Sequence, residues 1–492
     1  MLMLMTSPHI LNDGNASPAV LTVIAGDGIG PEIMKPTLEL MQAAGASLAI
    51  EYAEAGTASF EAGVTSGVPE ETIESVARTG LVLKGPLMTP IGSGGKSANV
   101  TLRKLFETFA NIRPVREMPG VPTPFAGRGI DLVIVRENVE DLYAGIEHMQ
   151  TPDVAQCLKL ISRLGSQRVV RTAFELARAE GRKDVAVATK ANIMKMTEGM
   201  LQREFEAAAK DYPDINARHV LVDNCAHLLV RYPESFDVIV TSNMNGDILS
   251  DLTSGLVGGL GFAPSANLGN RVAIFEAVHG SAPDIAGRDI ANPTALMMSA
   301  IMLLRHVGQF GSAETLEQAL LCTLSDGVHT GDVPGESPVS TSAFAAAVGD
   351  RIGRRSAVAS REHQPIVLPQ ISRPDARREP GSRVKKGVDV FVETTQEVDQ
   401  LGAGLEQIAT VTPYRLSMIS NRGTVVWPNT GGMTECVDHF RCRFVIDDAS
   451  TWTEESIYGL LKAIGAQHRW MHVEKLEEVD GVASYSRAQG ER

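Results

Sequence analysis

Short apolar, β-branched runs alternate with helix-like stretches along the first 310 residues, and this alternation limits the possible fold more than any other feature. Strands are predicted at residues 20–25, 81–84, 132–136, 185–189 and 237–241. Helices are predicted at residues 32–42, 169–180, 194–209 and 295–307, with Pro31 suited to a first helical position. A chain that alternates strands and helices in this way folds as an α/β protein.

A second, smaller unit is predicted from residue 387 onward. Its strands are predicted at 388–393, 415–419, 424–427, 440–446 and 470–476, and its helices at 395–409 and 453–466. This βαββαβ-like order indicates a small α/β sandwich, and we assign it to assembly because it holds no convincing catalytic cluster. Residues 351–386 are rich in basic residues and proline, which is typical of a solvated linker, with contact to an acidic partner as the alternative.

The acidic balance of the chain restricts its partners. A formal net charge of -14 argues against nucleic acid and against an anionic membrane as partners.

The five cysteines include no CxxC pair, which favours a reducing compartment over a disulfide framework. The apolar N-terminus is very short and lacks a basic lead, and the longest apolar run, 295–304, is too short to span a membrane. We therefore expect a cytoplasmic protein.

A glycine-rich turn follows the first predicted strand, at the place where a dinucleotide-binding fingerprint would lie. Residues 26–30 have the spacing GxGxG instead of GxGxxG, and no acidic residue is well placed at the end of a second strand. We interpret this segment as a tight structural turn. The glycine-rich segment 255–261 is equally ambiguous by itself.

Three arginines are candidates for binding an anionic substrate. Ser97 lies at a predicted helix start, and Arg103 follows it by up to two turns. Arg113 precedes a proline, and Arg136 ends a predicted strand. Arginine pairs with carboxylates through two hydrogen bonds, so three converging arginines suit a substrate with several carboxylates. Taken singly, each is more simply a surface or salt-bridged arginine.

An acidic pair follows the strand at 237–241. Asp247 and Asp251 are four residues apart, so a helix places both on one face, where like charges repel. Bound Mg²⁺ or Mn²⁺ removes that repulsion. Helix capping with acids in the first turn is the alternative. The position directly after a strand favours a metal site, because α/β folds bind ligands there.

Two further features are weak by themselves. Lys190 ends a predicted strand with Asn192 close by, and such a lysine transfers protons if its pKa is lowered, although solvated surface lysines are commoner. The glycine- and proline-rich stretch 276–287 carries His279 and is followed by Asn292, which is typical of a ligand-facing loop. A lone histidine is more often structural.

Taken together, seven segments resemble the isocitrate/isopropylmalate dehydrogenase family from about residue 20 to about residue 335. They are GDGIGPE (26–32), KGP (84–86), KSANVTLRK (96–104), RENVEDLYAGIEH (136–148), ATKANIMK (188–195), NMNGDILSDL (243–252) and EAVHGSAPDIAG (276–287). The C-terminal unit resembles the extension of the longer bacterial isocitrate dehydrogenases.

The resemblance implies an isopropylmalate dehydrogenase-like two-domain α/β fold, without a Rossmann fingerprint, plus a small C-terminal α/β domain. Residues 1–107 and 258–350 would form the large domain, and residues 108–257 the small domain with a dimer clasp. Residues 351–386 would be the linker and 387–492 the C-terminal domain.

The same resemblance implies the roles of individual residues. Tyr143 and Lys190 would be the proton-transfer pair, and Asp223, Asp247 and Asp251 would bind the metal. The substrate would contact Ser97, Asn99, Arg103, Arg113 and Arg136. The cofactor site would include Thr89, Asn192, Glu276, His279, Gly280, Asp284, Ile285 and Asn292. In the family Lys190 and Asp223 come from the partner subunit, which implies a homodimer with shared active sites and leaves pairing of dimers into tetramers open.

The resemblance also bears on substrate and cofactor. Ser97 and Asn99 favour isocitrate as the substrate, with homoisocitrate as a weaker option. The family's NADP enzymes have Lys-Tyr where this chain has Asp284 and Ile285, and a carboxylate there accepts hydrogen bonds from a ribose diol while repelling a 2′-phosphate. We therefore expect NAD, with NADP as the alternative because Arg288 could reach a phosphate. A non-catalytic subunit on the same fold is disfavoured, because no expected catalytic residue is missing.

Overall fold

The computed structural model describes residues 18–89, 97–358, 361–373, 381–429 and 431–491. Its helices are α1 (Gly30–Ala43), α2 (Thr57–Glu61), α3 (Glu70–Thr79), α4 (Ala98–Leu105), α5 (Arg163–Ala179), α6 (Thr197–Ala209), α7 (Val222–Arg231), α8 (Asn243–Leu256), α9 (Thr294–His306), α10 (Phe310–Ser325), α11 (Thr341–Gly349), α12 (Val398–Ala409) and α13 (Glu454–Gly465). Short 3₁₀ turns lie at Leu142–Ala144, Pro233–Ser235, Leu260–Phe262 and Ala449–Thr451.

The strands are β1 (Ala19–Ile24), β2 (Leu48–Ala53), β3 (Leu81–Lys84), β4 (Ala110–Arg116), β5 (Asp131–Glu137), β6 (Glu147–Met149), β7 (Ala155–Cys157), β8 (Asp184–Thr189), β9 (Asn216–Leu221), β10 (Val238–Thr241), β11 (Pro264–Leu268), β12 (Ala273–Ala277), β13 (Arg383–Glu393), β14 (Arg415–Asn421), β15 (Thr424–Trp427), β16 (His439–Val445), β17 (Arg469–Val479) and β18 (Val482–Ala483).

The described residues form two compact units. The larger is drawn from Met1–Ala144 and Lys159–Arg377, and the smaller from Gly145–Leu158 and Arg378–Arg492. The domain boundaries predicted within the larger unit stay a prediction. Residues Gly145–Leu158 pack with the C-terminal residues, although they lie within the range 108–257 that the resemblance assigned to the small domain.

A ten-stranded sheet organises the larger unit, in the order β2-β1-β3-β12-β11-β4-β5-β10-β8-β9. Strand β11 is antiparallel to β12 and to β4, and β4 is antiparallel to β5, whereas the other neighbouring pairs are parallel. The predicted α/β class is confirmed. The antiparallel centre was not foreseen, because the sequence analysis assigned no strands at β4, β11 and β12.

Burial on both faces of the sheet explains the continuous apolar runs. In β3, β10, β11 and β12 every residue is buried, which is the pattern of strands covered by helices on both sides. Helix α9 contains the whole of the longest apolar run, 295–304, and is buried along most of its length. No helix in the part of the chain that the structure describes has the length and apolar character needed to cross a membrane.

The smaller unit contains a six-stranded sheet in the order β15-β14-β16-β13-β17-β18, with antiparallel neighbours throughout. Helices α12 and α13 supply Leu401, Leu405, Leu460 and Ile464 to its core. The predicted small C-terminal α/β domain is therefore confirmed. The hairpin of β6 and β7 belongs to this unit, since Thr151 Oγ1 donates to Asp438 Oδ1 at 2.9 Å.

The described residues 351–358 and 361–373 of the predicted linker belong to the larger unit, whereas its last residues, from Arg383, begin β13 of the smaller unit. Arg361 forms an ion pair with Asp131 at 2.8 Å and donates to the Glu180 carbonyl at 3.1 Å. The Gln364 amide donates to the Ala179 carbonyl at 3.1 Å. These contacts hold residues 361–364 at the C-terminal end of α5.

Candidate active site

Arg113, Arg136 and the aspartates of α8 meet at one edge of the central sheet. Arg136, the last residue but one of β5, pairs with Asp247, while Arg113 on the neighbouring β4 lies 3.3 Å from Asp247 and 3.5 Å from Asp251. Gly246 allows this approach, because a Cβ there would lie 2.6 Å from Arg136 Cγ. The two predicted groups, cations for the substrate and carboxylates for the metal, therefore form one cluster.

The surroundings shift the pKa values of the two aspartates in opposite directions. Burial by itself would raise the pKa of Asp247, but the charge of Arg136, a hydrogen bond from Tyr143 and the charge of Arg113 hold that pKa below its ordinary value. Burial raises the pKa of Asp251 despite the charge of Arg113. Asp247 is therefore the firmly ionised member of the pair.

The two arginines lie close together in a buried environment. Burial, followed by the charges of Arg113 and Arg103, lowers the pKa of Arg136 to about 10. Burial also lowers the pKa of Arg113, followed by the charge of Arg103. Asn243 Oδ1 accepts hydrogen bonds from Arg136 at 2.7 and 3.0 Å, so the guanidinium has a fixed orientation. Such a set of oriented cations suits the binding of a ligand with several negative charges.

Tyr143 joins this cluster from the 3₁₀ turn Leu142–Ala144. Its hydroxyl donates a hydrogen bond to Asp247 Oδ2 at 2.5 Å, and the Arg136 guanidinium lies 4.9 Å from the centre of its ring. Burial raises the pKa of Tyr143, and the bond to Asp247 raises it further. The tyrosine therefore holds its proton beside the arginines that were predicted to bind the substrate.

A buried ion network holds the third predicted arginine. Arg103 donates to Glu276 Oε1 at 2.9 Å, and Lys84 pairs with Glu276 Oε2. Burial opposes ionisation of Glu276, but the charges of Lys84 and Arg103 hold its pKa far below the ordinary value. Sequence analysis missed Lys84 in this role. The signal was available only through register, because Lys84 on β3 pairs with Glu276 on β12.

The residues around the start of α4 keep unused hydrogen-bonding capacity. Ser97 precedes the first turn of α4, and its Oγ lies 3.1 Å from Thr89 Oγ1. Asn99 donates to the Leu87 carbonyl at 3.2 Å. Within the described residues, Asn99 Oδ1 and Arg103 Nε are buried without a partner. Unpaired buried polar atoms are costly, so one free acceptor and one free donor here fit a bound polar ligand. Lys96, in the same motif, lies outside the described residues.

Lys190 and Asp223 form a separate pair. Lys190 Nζ lies 2.8 Å from Asp223 Oδ1, with Lys190 following β8 and Asp223 in the first turn of α7. The hydrogen bond from Lys190 lowers the pKa of Asp223. Over the described residues, no group of three His, Cys, Asp or Glu side chains is placed to hold a metal ion. The predicted three-aspartate set is thus not assembled within one described chain.

Most of the predicted cofactor residues lie in β12 or in the segment that follows it, whereas Thr89 follows β3 and Asn192 follows β8. His279 Nδ1 lies 3.0 Å from the Gly280 carbonyl, while its Nε2 is buried without a described partner. Asn292 donates to Asp332 at 2.9 Å, an acid that sequence analysis did not select. Glu276, predicted here as a cofactor ligand, has both oxygens engaged by Lys84 and Arg103. Asn192 and Asp284 are exposed, and Ile285 is half-buried. The cofactor assignments stay predictions.

Two family models match the chain. The isocitrate/isopropylmalate dehydrogenase model matches residues 20–348, and the model of the bacterial isocitrate dehydrogenase C-terminal domain matches residues 383–491. The chain belongs to the isocitrate/isopropylmalate dehydrogenase family. The resemblance inferred from the seven motifs is confirmed.

Similar proteins extend over almost the full length. The isocitrate dehydrogenase [NADP] of Thermus thermophilus is 59% identical, covering 98% of this chain and 97% of the relative. The isocitrate dehydrogenase [NADP] of Rickettsia conorii is 41% identical, covering 96% of this chain and 99% of the relative. The crystal structure of the TT0538 protein from Thermus thermophilus has a TM-score of 0.93 and 58% identity, covering 98% of both chains.

These relatives correct the expected cofactor. NAD was inferred from the carboxylate of Asp284, yet relatives similar over nearly the whole chain are named NADP enzymes, so the NAD prediction is wrong. The structure supplies a physical reason, because Asp284 is exposed and a solvated carboxylate repels a phosphate only weakly. The exposed Arg288 lies in the same loop and offers a compensating cation.

Proposed function

We propose that the chain catalyses the oxidative decarboxylation of isocitrate to 2-oxoglutarate and CO₂ with reduction of NADP, in a divalent-cation-dependent site. The observation that carries this proposal is the meeting of Arg113 and Arg136 with Asp247 and Asp251, with Tyr143 donating to the same carboxylate. A small acid with three carboxylates matches the cations, and the α8 carboxylates suit a hard divalent ion.

The donor set of α8 fits Mg²⁺ or Mn²⁺. Asp247 and Asp251 present oxygen ligands from one helix face, and Asp251 is more than half exposed. Both oxygens of Asp247 are occupied in the chain alone, by arginines and by Tyr143. A carboxylate substrate that takes over the arginines would therefore release Asp247 for the metal. When bound, such an ion lowers the pKa of the substrate hydroxyl and stabilises negative charge on its oxygen.

The chain's own residues supply the remaining chemistry. Arg103, Arg113 and Arg136 bind and orient the substrate carboxylates, and Ser97 and Asn99 complete the pocket. Lys190 accepts the proton of the substrate hydroxyl, and a hydride passes from the carbon that bears this hydroxyl to the nicotinamide ring. The resulting β-keto acid loses CO₂, and Tyr143 donates its proton to the carbon that carried the carboxylate. The raised pKa of Tyr143 keeps that proton available until this step.

The cofactor site uses the loop after β12. Since the Gly280 carbonyl lies beside His279 Nδ1, the buried Nε2 is left as a hydrogen-bond acceptor, which suits an amino group of the adenine base. Burial lowers the pKa of His279, so the ring is neutral, as an acceptor must be. We assign contact with the 2′-phosphate to Arg288.

A homodimer accounts for the separation of Lys190 and Asp223 from the α8 aspartates. Ile193 and Met196 beside Lys190 are exposed, as are Met244 and Ile248 on α8. Met244, Ile248 and Asp251 are spaced by four and three residues, so they share a helix face. An apolar face that borders the metal-binding acids suits a second copy of the chain, which would contribute Lys190 and Asp223.

Initial rates with isocitrate test the activity. We expect a higher kcat/KM with NADP than with NAD, loss of turnover in EDTA, and recovery with Mg²⁺ or Mn²⁺. The same assay with other 3-substituted malates, homoisocitrate included, tests the substrate. Turnover that survives EDTA, or that prefers another malate, would contradict the proposal.

Mixed dimers test the shared site. A chain with Tyr143→Phe and a chain with Lys190→Met should each have low activity alone. In a dimer with one of each, one site carries both changes and the other carries neither. Random mixing should then restore roughly a quarter of wild-type activity, because half of the dimers are mixed and each has one intact site. No recovery would mean that both residues act within one chain.

A further inference from the structure

A buried cluster of charges outside the substrate site links both predicted proton-transfer residues. The Asp141 and Glu198 side chains are fully buried, and Lys159 lies between them. Its Nζ is 2.5 Å from Asp141 Oδ1 and 2.8 Å from Glu198 Oε1. A lysine that pairs with two buried carboxylates holds together segments that would otherwise repel each other.

The Glu198 side of the cluster reaches Lys190 and the start of α8. Glu198 Oε2 accepts a hydrogen bond from the Lys190 amide at 3.1 Å. Glu198 Oε1 accepts from the Ser242 hydroxyl at 3.0 Å, at the residue that precedes α8. One carboxylate therefore fixes the backbone from which the Lys190 side chain projects.

The Asp141 side reaches Tyr143. Asp141 lies two residues before Tyr143, has a left-handed φ of 67°, and accepts from the Met244 amide at 2.9 Å. Its own amide donates to the Leu160 carbonyl at 2.8 Å, and its carbonyl accepts from the Ala144 amide at 3.2 Å. A strained aspartate held from three directions sets the position of the turn that carries Tyr143.

We propose that Lys159 is a positioning residue that couples the Tyr143 turn to the Lys190 turn. This inference rests on the proposed function, in which Tyr143 serves the chain's own active site and Lys190 serves that of the partner. On that basis Lys159 connects two active sites through a single chain. Removal of its charge would leave the Asp141 and Glu198 carboxylates without a cationic partner and displace both turns. Small displacements of catalytic groups reduce turnover strongly, without a comparable change in substrate binding.

Mixed dimers with one intact site isolate the two effects. We take differently tagged chains, one with Tyr143→Phe and one with Lys190→Met, and purify the mixed dimer. Its intact site uses Tyr143 of the Lys190→Met chain and Lys190 of the Tyr143→Phe chain. Lys159→Met is then added to either chain in turn. We expect kcat of the intact site to fall roughly 10- to 100-fold in both placements, with KM for isocitrate nearly unchanged.

Two controls accompany the test. Arg163→Met removes a comparable half-buried ion pair, that with Glu204, four residues further along the chain, and should leave kcat unchanged in both placements. Lys159→Arg keeps the positive charge and should restore most of the lost kcat. If thermal unfolding shows that Lys159→Met destabilises the dimer more than Arg163→Met does, Glu198→Gln takes its place in both placements.

The outcomes separate the two proposals. No activity in the mixed dimer before Lys159 is changed would overturn the shared site and this inference with it. An active mixed dimer whose kcat falls in only one placement, or in neither, would overturn the coupling and leave the proposed function intact. A rise in KM with kcat unchanged would also contradict a positioning role.

Discussion

Asp247 shows how one carboxylate is shared between binding and proton transfer. It contacts Arg113, Arg136 and the Tyr143 hydroxyl at once. Two of these partners are groups that a tricarboxylate would bind, and the third is the proposed proton donor. In the proposed mechanism, arrival of substrate would rearrange the contacts of the same side chain that is assigned to the metal. Substrate binding and proton donation by Tyr143 would then be linked at this residue.

Tyr143→Phe should separate oxidation from completion of the reaction. The ring can still pack against Arg136, but the proton for carbon is lost, so we expect overall turnover to fall roughly 10²- to 10⁴-fold. Rapid-quench analysis should show reduced cofactor forming faster than 2-oxoglutarate. Tyr212→Phe removes a similar hydrogen bond, 2.7 Å to Glu175, and should leave turnover unchanged. Equal small losses in every step would contradict the assigned role.

Glu137 should make stability depend on pH. Burial raises its pKa to about 8 from the ordinary 4.5, so the folded chain keeps a proton that the unfolded chain releases between these values. This contribution to the free energy of unfolding is complete below pH 4.5 and is lost as pH rises through 8. Glu137→Gln should flatten the decline, which is at most about 1.4 kcal/mol per pH unit. Urea titrations at several pH values measure the free energy of unfolding. An equal decline with pH in the wild type and in Glu137→Gln would contradict this expectation.

The site shows which residues a sequence can reveal. Asp247 and Asp251 were found because helical spacing places them on one face. Lys84 was missed because its partner, Glu276, lies 192 residues away and is brought opposite only by the register of β3 and β12. The arginine set was identified by residue type and motif, whereas the pKa shift of each arginine depends on its burial in the folded chain.

At the scale of elements, the strands predicted in the larger unit match buried strands, whereas the buried strands β4, β11 and β12 and the exposed hairpin strands were not predicted. The predicted strand at 81–84 coincides with β3, and the predicted strand at 132–136 lies within β5. The hairpin strand β6 has three exposed residues, so it carries no apolar alternation. Such a hairpin depends on contacts elsewhere in its unit, which local sequence does not encode.

The loop after β12 should determine cofactor preference through Arg288. Arg288→Gln removes the cation assigned to the 2′-phosphate, so we expect KM for NADP to rise roughly 10- to 100-fold while KM for NAD changes little. Arg271→Gln, in the exposed turn between β11 and β12, is the matched control. Initial rates over both cofactors check this, and an equal rise for NAD and NADP would contradict the assignment.

For the whole molecule, the proposed dimer makes assembly a condition of activity. Ile248→Asp places a charge on the exposed apolar face of α8, and we expect monomers with little turnover because Lys190 and Asp223 cannot then reach the neighbouring site. Ile50→Asp changes a similarly exposed isoleucine on the edge strand β2 and should leave both properties unchanged. Light scattering and kcat together check this, and an active Ile248→Asp monomer would contradict the shared site.

The chain passes between its two compact units three times, after residues 144, 158 and 377. The C-terminal unit is therefore not an appendage joined by a single tether, since Gln150 and Thr151 bond to His472 and Asp438 within it. The smaller unit is built from two separate stretches of sequence, so it cannot be exchanged between relatives as one continuous segment. A chimaera that exchanges the tail between two relatives has to exchange residues 145–158 as well, or it will pair a hairpin with a surface for which it was not selected.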